Sequence, residues 1–349
     1  MNDLTERQRF LLNLIVREYT ETAQPVASRT LVEKYHLDLS PATVRNEMAV
    51  LTDFGYLRQP HTSAGRVPTE DGYRYFVTHI VYQADLPESA RHTISHQFYQ
   101  ARQDVELWMP LAASILAHHS RAASLVTAPH AERARYQHLE LISTQGRQVL
   151  MVLVLGGGEV RQQLLTLAEP VPQSRLSETA DLLNRICIGR TTEEISALPS
   201  PSDALARDVI SLIVAEMNRD EQRIAGEIYM DGLTNVLSEP EFLGSDDARR
   251  TIRLFEERSL LQELLMQVLP ETIVGGVQVL IGGEGKWEEL KQCSVVLARY
   301  GIPGQATGVL GVFGPTRMAY FRTIPTVRFM ADLLSDLISE TIAGEQNEQ

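Results

Sequence analysis

A chain of 349 residues, 44% of them hydrophobic, is long for one domain and comfortable for two or three with buried cores. Its net charge of −13 argues against nucleic acid as a partner of the whole chain, yet residues 1–76 hold nine Lys or Arg against ten Asp or Glu while the remainder holds 23 against 35, so the acid lies mostly elsewhere. Cys187 and Cys293 form no C-x-x-C pair and indicate neither a disulfide framework nor a zinc site, and no apolar run approaches the ~20 residues of a membrane span.

The first twenty residues read as a charged amphipathic helix rather than a signal peptide, which with the unpaired cysteines suits a cytoplasmic protein. Thr5 to Gln8 fits a T-x-x-Q capping box ahead of Leu11, Leu14, Ile15 and Tyr19, predicting a helix over about Glu6 to Thr20. A short helix from Ser28, its expected N-cap, to Tyr35 turns Leu31 and Val32 inward, and His36 to Leu39 form a turn. The third helix, Pro41 to Phe54, has Ser40 as N-cap, Pro41 at its first position and Gly55 as left-handed terminator. Val44, Met48 and Leu51 make its buried stripe, so Ala42, Thr43, Arg45, Asn46 and Ala49 face outward. Such a face suits base edges, since Arg forks onto guanine and Asn onto adenine, although solvated helices also carry it. Order and context favour DNA: Tyr56 to Pro68 follows with Arg58, His61, Arg66, two prolines and no acid, the make-up of a phosphate-contacting wing.

Thr69 is placed to cap a connector helix running through Tyr73, Phe76, Val77 and Ile80 and ending before Pro87, and a helical stretch from Ser89 to His119 is expected to break at Pro110. Tyr136 to Leu167 reads as strands separated by turns at Gly146 and Gly156 to Gly158. Helical spacing returns at Leu176 to Ile188, Ala204 to Asn218 and Asp246 to Leu269, with a strand or turn near Ile228 to Leu237. Strands resume at Val277 to Ile281, Ser294 to Tyr300 and Gly308 to Phe313, before a last helix over Val327 to Ile342. A sheet broken by helices and then resumed suggests an insertion.

Gly282, Gly283 and Gly285 before Lys286 fail as a phosphate loop, because Leu280 stands where the first Gly belongs and Trp287 replaces Ser or Thr. His118 and His119 are adjacent, so they point to different sides of a helix and make a poor metal pair. No paired carboxylates or Ser, His and Asp set stands out, and the expectation is no enzyme, no cofactor and no metal. Pro315, Thr316 and Arg317 form a chemically specific turn that lines a pocket or a subunit contact, or else one whose Arg caps a helix C-terminus or pairs with a carboxylate.

The run SPATVRNEMAVL, then GYLRQPHTSAGRVPT and GYRYFV, resembles the N-terminal signature of the heat-inducible transcription repressor HrcA family, and Ile228 to Phe242 (IYMDGLTNVLSEPEF) and Gly308 to Tyr320 (GVLGVFGPTRMAY) extend the resemblance over nearly the whole chain. It implies an α+β multidomain protein: a winged helix-turn-helix over residues 1–76, a helical connector over 77–119, a GAF-like α/β domain split into 120–171 and 273–345, and an inserted, mainly helical dimerisation domain over 172–272. It also implies a homodimeric repressor of chaperone genes, acting at the inverted-repeat CIRCE operator in double-stranded DNA, relieved by heat and modulated by a GroEL-type chaperonin. On that reading Thr43, Arg45 and Asn46 read bases from a helix begun by Ser40, while Arg58, His61, Thr62, Ser63 and Arg66 hold phosphate or enter the minor groove. The alternatives are a metabolite-responsive winged-helix regulator that senses a small molecule through its GAF-like domain, and an enzyme with an appended DNA-binding domain.

Overall fold

The structure, a computed structural model, describes residues 4–62, 64–81, 85–101, 104, 107–131, 134–156, 160–221, 227–242, 246–268, 274–282, 287 and 290–347. It mixes helix with sheet and divides into two compact units, one of Met1–Ala128, Glu227–Gly301 and Val309–Gln349, the other of Pro129–Gly226 and Ile302–Gly308.

The first unit opens with α1 (Glu6–Thr22), α2 (Ser28–Tyr35) and α3 (Pro41–Asp53), a two-stranded antiparallel ribbon of β1 (Leu57–Arg58) and β2 (Val67–Pro68), and α4 (Glu70–Phe76). The expected ends are largely present. Thr5 and Gln8 complete a capping box, the Ser40 hydroxyl accepts from the Thr43 N–H at 3.0 Å, and Gly55 takes φ +82° just past α3, where a side chain would be strained. Ser28 departs from expectation: it is the buried first residue of α2, and Ala27 occupies the cap position without a side-chain bond. Leu11, Leu12 and Ile15 of α1, Leu31 of α2, and Val44, Met48 and Leu51 of α3 are buried, with α1 packed on both α3 and α4. A buried charge fixes α2 to α1, as the Glu18 carboxylate accepts from Lys34 Nζ at 2.6 Å and from the Tyr35 hydroxyl at 3.0 Å.

Beyond α4 the chain winds into a π-helical turn over Val77–Val81 instead of continuing as α-helix, and Pro87 precedes α5 (Glu88–Gln100) as its N-cap. Pro110 does not break a helix; it lies in the first turn of α6 (Trp108–Ser120), where a missing N–H costs no intrahelical bond. α6 leads into β3 (Ala123–Thr127), buried throughout and absent from the sequence-based reading. β3 pairs with β8 (Ile228–Asp231) on one side and β11 (Ala306–Pro315) on the other, and β10 (Cys293–Ile302) and β9 (Val277–Ile281) complete the order β8-β3-β11-β10-β9. The two-residue β4 (His130–Ala131) pairs with Ala306 and Thr307. α10 (Leu233–Leu237) follows β8, and the region expected as one helix from Asp246 is two, α11 (Asp246–Glu256) and α12 (Arg258–Val268). α13 (Tyr320–Asn347) begins seven residues before its expected start at Val327 and packs on α6. Its Tyr320 hydroxyl bonds Ser294 of β10 at 2.6 Å, and Cys293 beside it is buried.

In the second unit, β5 (Tyr136–Ser143), β6 (Gln148–Leu155) and β7 (Val160–Thr166) form an antiparallel meander covered by α7 (Gln173–Cys187), α8 (Thr192–Ser196) and α9 (Ala204–Glu221). This partition differs from the expected insertion of 172–272. The meander buries Leu139, Leu141, Met151 and Leu153 against Leu176, Leu183, Ile213 and Met217, whereas β8 hydrogen-bonds to β3, so the meander goes with α7 to α9 and the segment from β8 to α12 goes with the first unit. The Gly156 to Gly158 turn and the Gly283 to Lys286 run fall mostly outside the described residues.

The outer edge of β5 is satisfied by side chains of α7 rather than by another strand. Asn184 accepts from the Leu139 N–H at 2.8 Å and donates to the Leu139 carbonyl at 3.1 Å, and it also accepts from the Tyr136 hydroxyl at 2.7 Å. Gln173 does the same one step along, accepting from Ser143 N–H and donating to the Leu141 carbonyl, both within 2.8 Å. Amide side chains thus blunt an edge that would otherwise pair with another chain. Asn184→Ala leaves part-buried groups unpaired and is expected to cost about 1–3 kcal/mol, read as a lower urea midpoint; an unchanged midpoint would show that β5 does not depend on this amide.

Candidate nucleic-acid interface

Burial of Val44, Met48 and Leu51 turns the other side of α3 outward, and Arg45 and Asn46 stand adjacent and exposed on it. Thr43 is half-buried, and its hydroxyl lies 2.9 Å from that of Ser40, so these two groups build the start of the helix and leave the extended side chains of Arg45 and Asn46 as its reach. α3 is held from behind by a contact that spacing does not disclose. Glu47 accepts from Gln8 at 3.1 Å and Arg7 at 3.4 Å on α1, which both fixes the helix rotation and offsets an acid beside the exposed face.

The ribbon is organised by Gln59 and Arg66. Gln59 donates to the Thr62 and Ala64 carbonyls at 2.9 and 3.1 Å, closing the tip, and was not among the expected residues. Arg66 exchanges both backbone hydrogen bonds with Val26, at 2.8 and 2.9 Å, while its Nε donates to the Thr52 hydroxyl of α3 at 3.0 Å. Arg66 therefore ties ribbon to helix before it can meet any phosphate. Gly65 is small by necessity, because a Cβ there would lie 2.2 Å from the Val26 carbonyl oxygen.

Arg45, Gln59, Thr62 and Arg66 come together around a cavity of about 370 Å3, closed behind by Val26 to Ser28 and Met48. His61 and Thr62 are exposed at the ribbon tip, and Ser63 lies outside the described residues. Arg58 is separated from this group: it is exposed along a different depression of about 550 Å3, near Tyr19, Glu70, Asp71 and Lys291.

Arg317 takes more than one of the roles left open by its turn, since it lines a cavity and is also engaged within the fold. It is buried, donates to Glu241 at 2.6 and 3.1 Å and to Glu239, and gives a further bond of 3.0 Å to the Thr20 carbonyl in the last turn of α1. It thus caps a helix C-terminus and pairs with carboxylates at once. Burial, the largest influence, pulls the guanidinium down; Glu241 and Glu239 more than reverse it, leaving Arg317 above its ordinary value. Two motifs distant in sequence, SEPEF and GPTRM, therefore meet at the end of the first helix.

Residues 106–324 match the family model described as "HrcA protein C terminal domain". Proteins named heat-inducible transcription repressor HrcA are similar along almost their whole length: that of Roseiflexus castenholzii is 45% identical over 97% of this chain and 95% of its own, that of Chloroflexus aurantiacus 42% over 97% and 94%, and that of Thermomicrobium roseum 39% over 99% and 98%. A crystal structure titled only as a hypothetical protein shares the fold, with a TM-score of 0.58 and 24% identity over 97% of this chain and 100% of that one.

Two substitutions test this geometry. Gly65→Ala should force the ribbon away from Val26 and cost about 1–3 kcal/mol, as overpacking against backbone does, seen as a drop in Tm. Arg317→Ala strands two carboxylates that are themselves about a quarter exposed, so the loss expected for a broken ion pair shrinks to about 1–3 kcal/mol; a Tm equal to that of the parent would show that the cluster does not hold α1.

Proposed function

The chain belongs to the HrcA family of heat-inducible transcription repressors, and on that footing we propose that it is a negative regulator of chaperone genes that binds the inverted-repeat CIRCE operator as a homodimer. In this reading α1 to α3 with the β1–β2 ribbon act as a winged helix-turn-helix, and the first unit's sheet with α6 and α13 is the GAF-like domain. The observation that carries it is the exposed Arg45–Asn46 pair, on a helix whose opposite face is buried and whose Glu47, next to that pair, is engaged from α1, beside a ribbon segment free of acid. Arg45 and Asn46 read bases in the major groove, and His61 and Thr62, with Ser63 and Arg58, follow the phosphates.

Two-fold pairing matches a palindromic site, since each copy offers the same helix to one half-site. A self-association surface is supported by the uncovered face of the second unit's meander. There Ile142, Leu150 and Leu164 align across the three strands, with Val152, Val154 and Val160 on the same face, and Ile142, Val160 and Leu164 are 43, 49 and 56% exposed. A near-neutral N-terminal region gains from being present twice, because phosphate neutralisation adds across both half-sites.

Relief by heat needs no ligand. An active fold that is marginal at the growth temperature, close to its own midpoint, loses folded population over a few degrees, and a GroEL-type chaperonin occupied by other clients leaves the repressor inactive.

Gel-shift titration of Arg45→Ala against an inverted repeat and a scrambled duplex tests the base contact: a loss of ~1–3 kcal/mol on the repeat alone is expected, and equal loss on both would assign Arg45 to phosphate. Operator binding by the purified protein should fall with temperature and recover with chaperonin; full, temperature-independent binding without chaperonin would falsify the heat mechanism.

A further inference from the structure

We propose that a cavity bounded by the ends of α1 and α6 and the start of α13 binds the phosphate group of a small molecule. The cavity measures about 630 Å3, and Thr20, Ser120, Arg121, Arg317 and Arg322 are on its wall. Its volume lies in the ~300–1,000 Å3 range of small-molecule sites.

Its wall carries donors without acceptors. Arg322 has a shielded Nε with no hydrogen-bond partner among the described residues, and Ser120, only 4% exposed, has an unpartnered hydroxyl, as does Thr20. Arg121 and Arg322 are near each other here, beside an Arg317 that is already paired with Glu239 and Glu241. Burial, then Arg121, holds Arg322 below its ordinary value, and burial, then His118 and Arg322, lowers His119, with no carboxylate acting on either. Two acids also reach the wall but are already engaged: Glu21 is 3.2 Å from Lys34 Nζ, and Glu239 is paired with Arg317.

A ligand that completes this set must be an anion with several acceptor oxygens on one centre. A cation is repelled by Arg121 and Arg322, and a carboxylate supplies two oxygens where a guanidinium pair and two hydroxyls present more donors; a phosphate group supplies three or four. The concave wall suits a small ligand's phosphate group rather than the convex backbone of a duplex. The shared chemistry is the phosphate group, from inorganic phosphate or from a phosphorylated metabolite.

The test is isothermal titration of the full chain at constant ionic strength with inorganic phosphate and, separately, with glycerol 3-phosphate. Saturable binding of either probe is expected, weakened roughly tenfold in Arg322→Gln, as when a charge-assisted hydrogen bond is lost. Binding of the ester alone assigns the site to a phosphorylated metabolite, and binding of inorganic phosphate alone assigns it to the free ion. Ser120→Ala, which leaves every charge in place, should weaken the same probe by about threefold or more, and it decides the matter if Arg322→Gln does not fold. No saturable heat with either probe up to about 10 mM, enough to fill a millimolar site, or affinity unchanged in both variants, overturns the proposal. Operator binding is a separate readout, so failure here leaves the repressor reading standing, and the reverse.

Discussion

One guanidinium holds the first unit together across nearly the full length of the chain. Arg317 lies 297 residues from Thr20, whose carbonyl it caps, and 76 and 78 residues from Glu241 and Glu239, whose carboxylates it binds. Three separate stretches, the end of α1, the turn after α10 and the turn before α13, converge on it. Arg suits this place where Lys would not, because a planar fork serves two carboxylates and a carbonyl at once. The aromatic contact of Tyr73 on α4 with Tyr320 on α13, 5.8 Å between ring centroids, fastens the same part of the fold. Whatever α3 presents is therefore aimed by contacts made far from α3.

Within the N-terminal elements, reach and support are divided between neighbouring residues. Arg45 and Asn46 extend outward, while Glu47, next in sequence, turns back to α1. In the ribbon, exposed His61 and Thr62 sit at a tip closed by Gln59 and anchored by Arg66. Support of this kind matters because contact geometry set on rigid elements is more reproducible than geometry set on a loop. Several acids of this region, Glu18, Glu33 and Glu47 among them, are engaged by cations of the same region.

The second unit follows a different economy. A meander with one buried face needs cover, and α7 provides it twice over, through Leu176 and Leu183 in the core and through Gln173 and Asn184 along the strand edge. The opposite face keeps its apolar residues uncovered. One face of the meander is thus sealed, while Ile142, Val160 and Leu164 on the other stay exposed.

Local chemistry was legible in the sequence. Capping at Thr5, Ser40 and Thr69, the stripe of Val44, Met48 and Leu51, the left-handed Gly55 and the spans of β5, β6 and β9 all follow from interactions within a few residues, and the runs that mark the family are contiguous. What spacing does not contain is who packs with whom. β3 was missed because a five-residue strand buried on both faces has no alternation, and Pro110 misled because one proline reads alike as a break and as a beginning. The membership of the meander, the commitment of Arg66 to Thr52, the separation of Arg58 from Arg45 and the three-way role of Arg317 depend on partners tens to hundreds of residues away. Those were decided only by the tertiary structure, because burial and hydrogen bonding are satisfied in space, and sequence order records just the portion that closes locally.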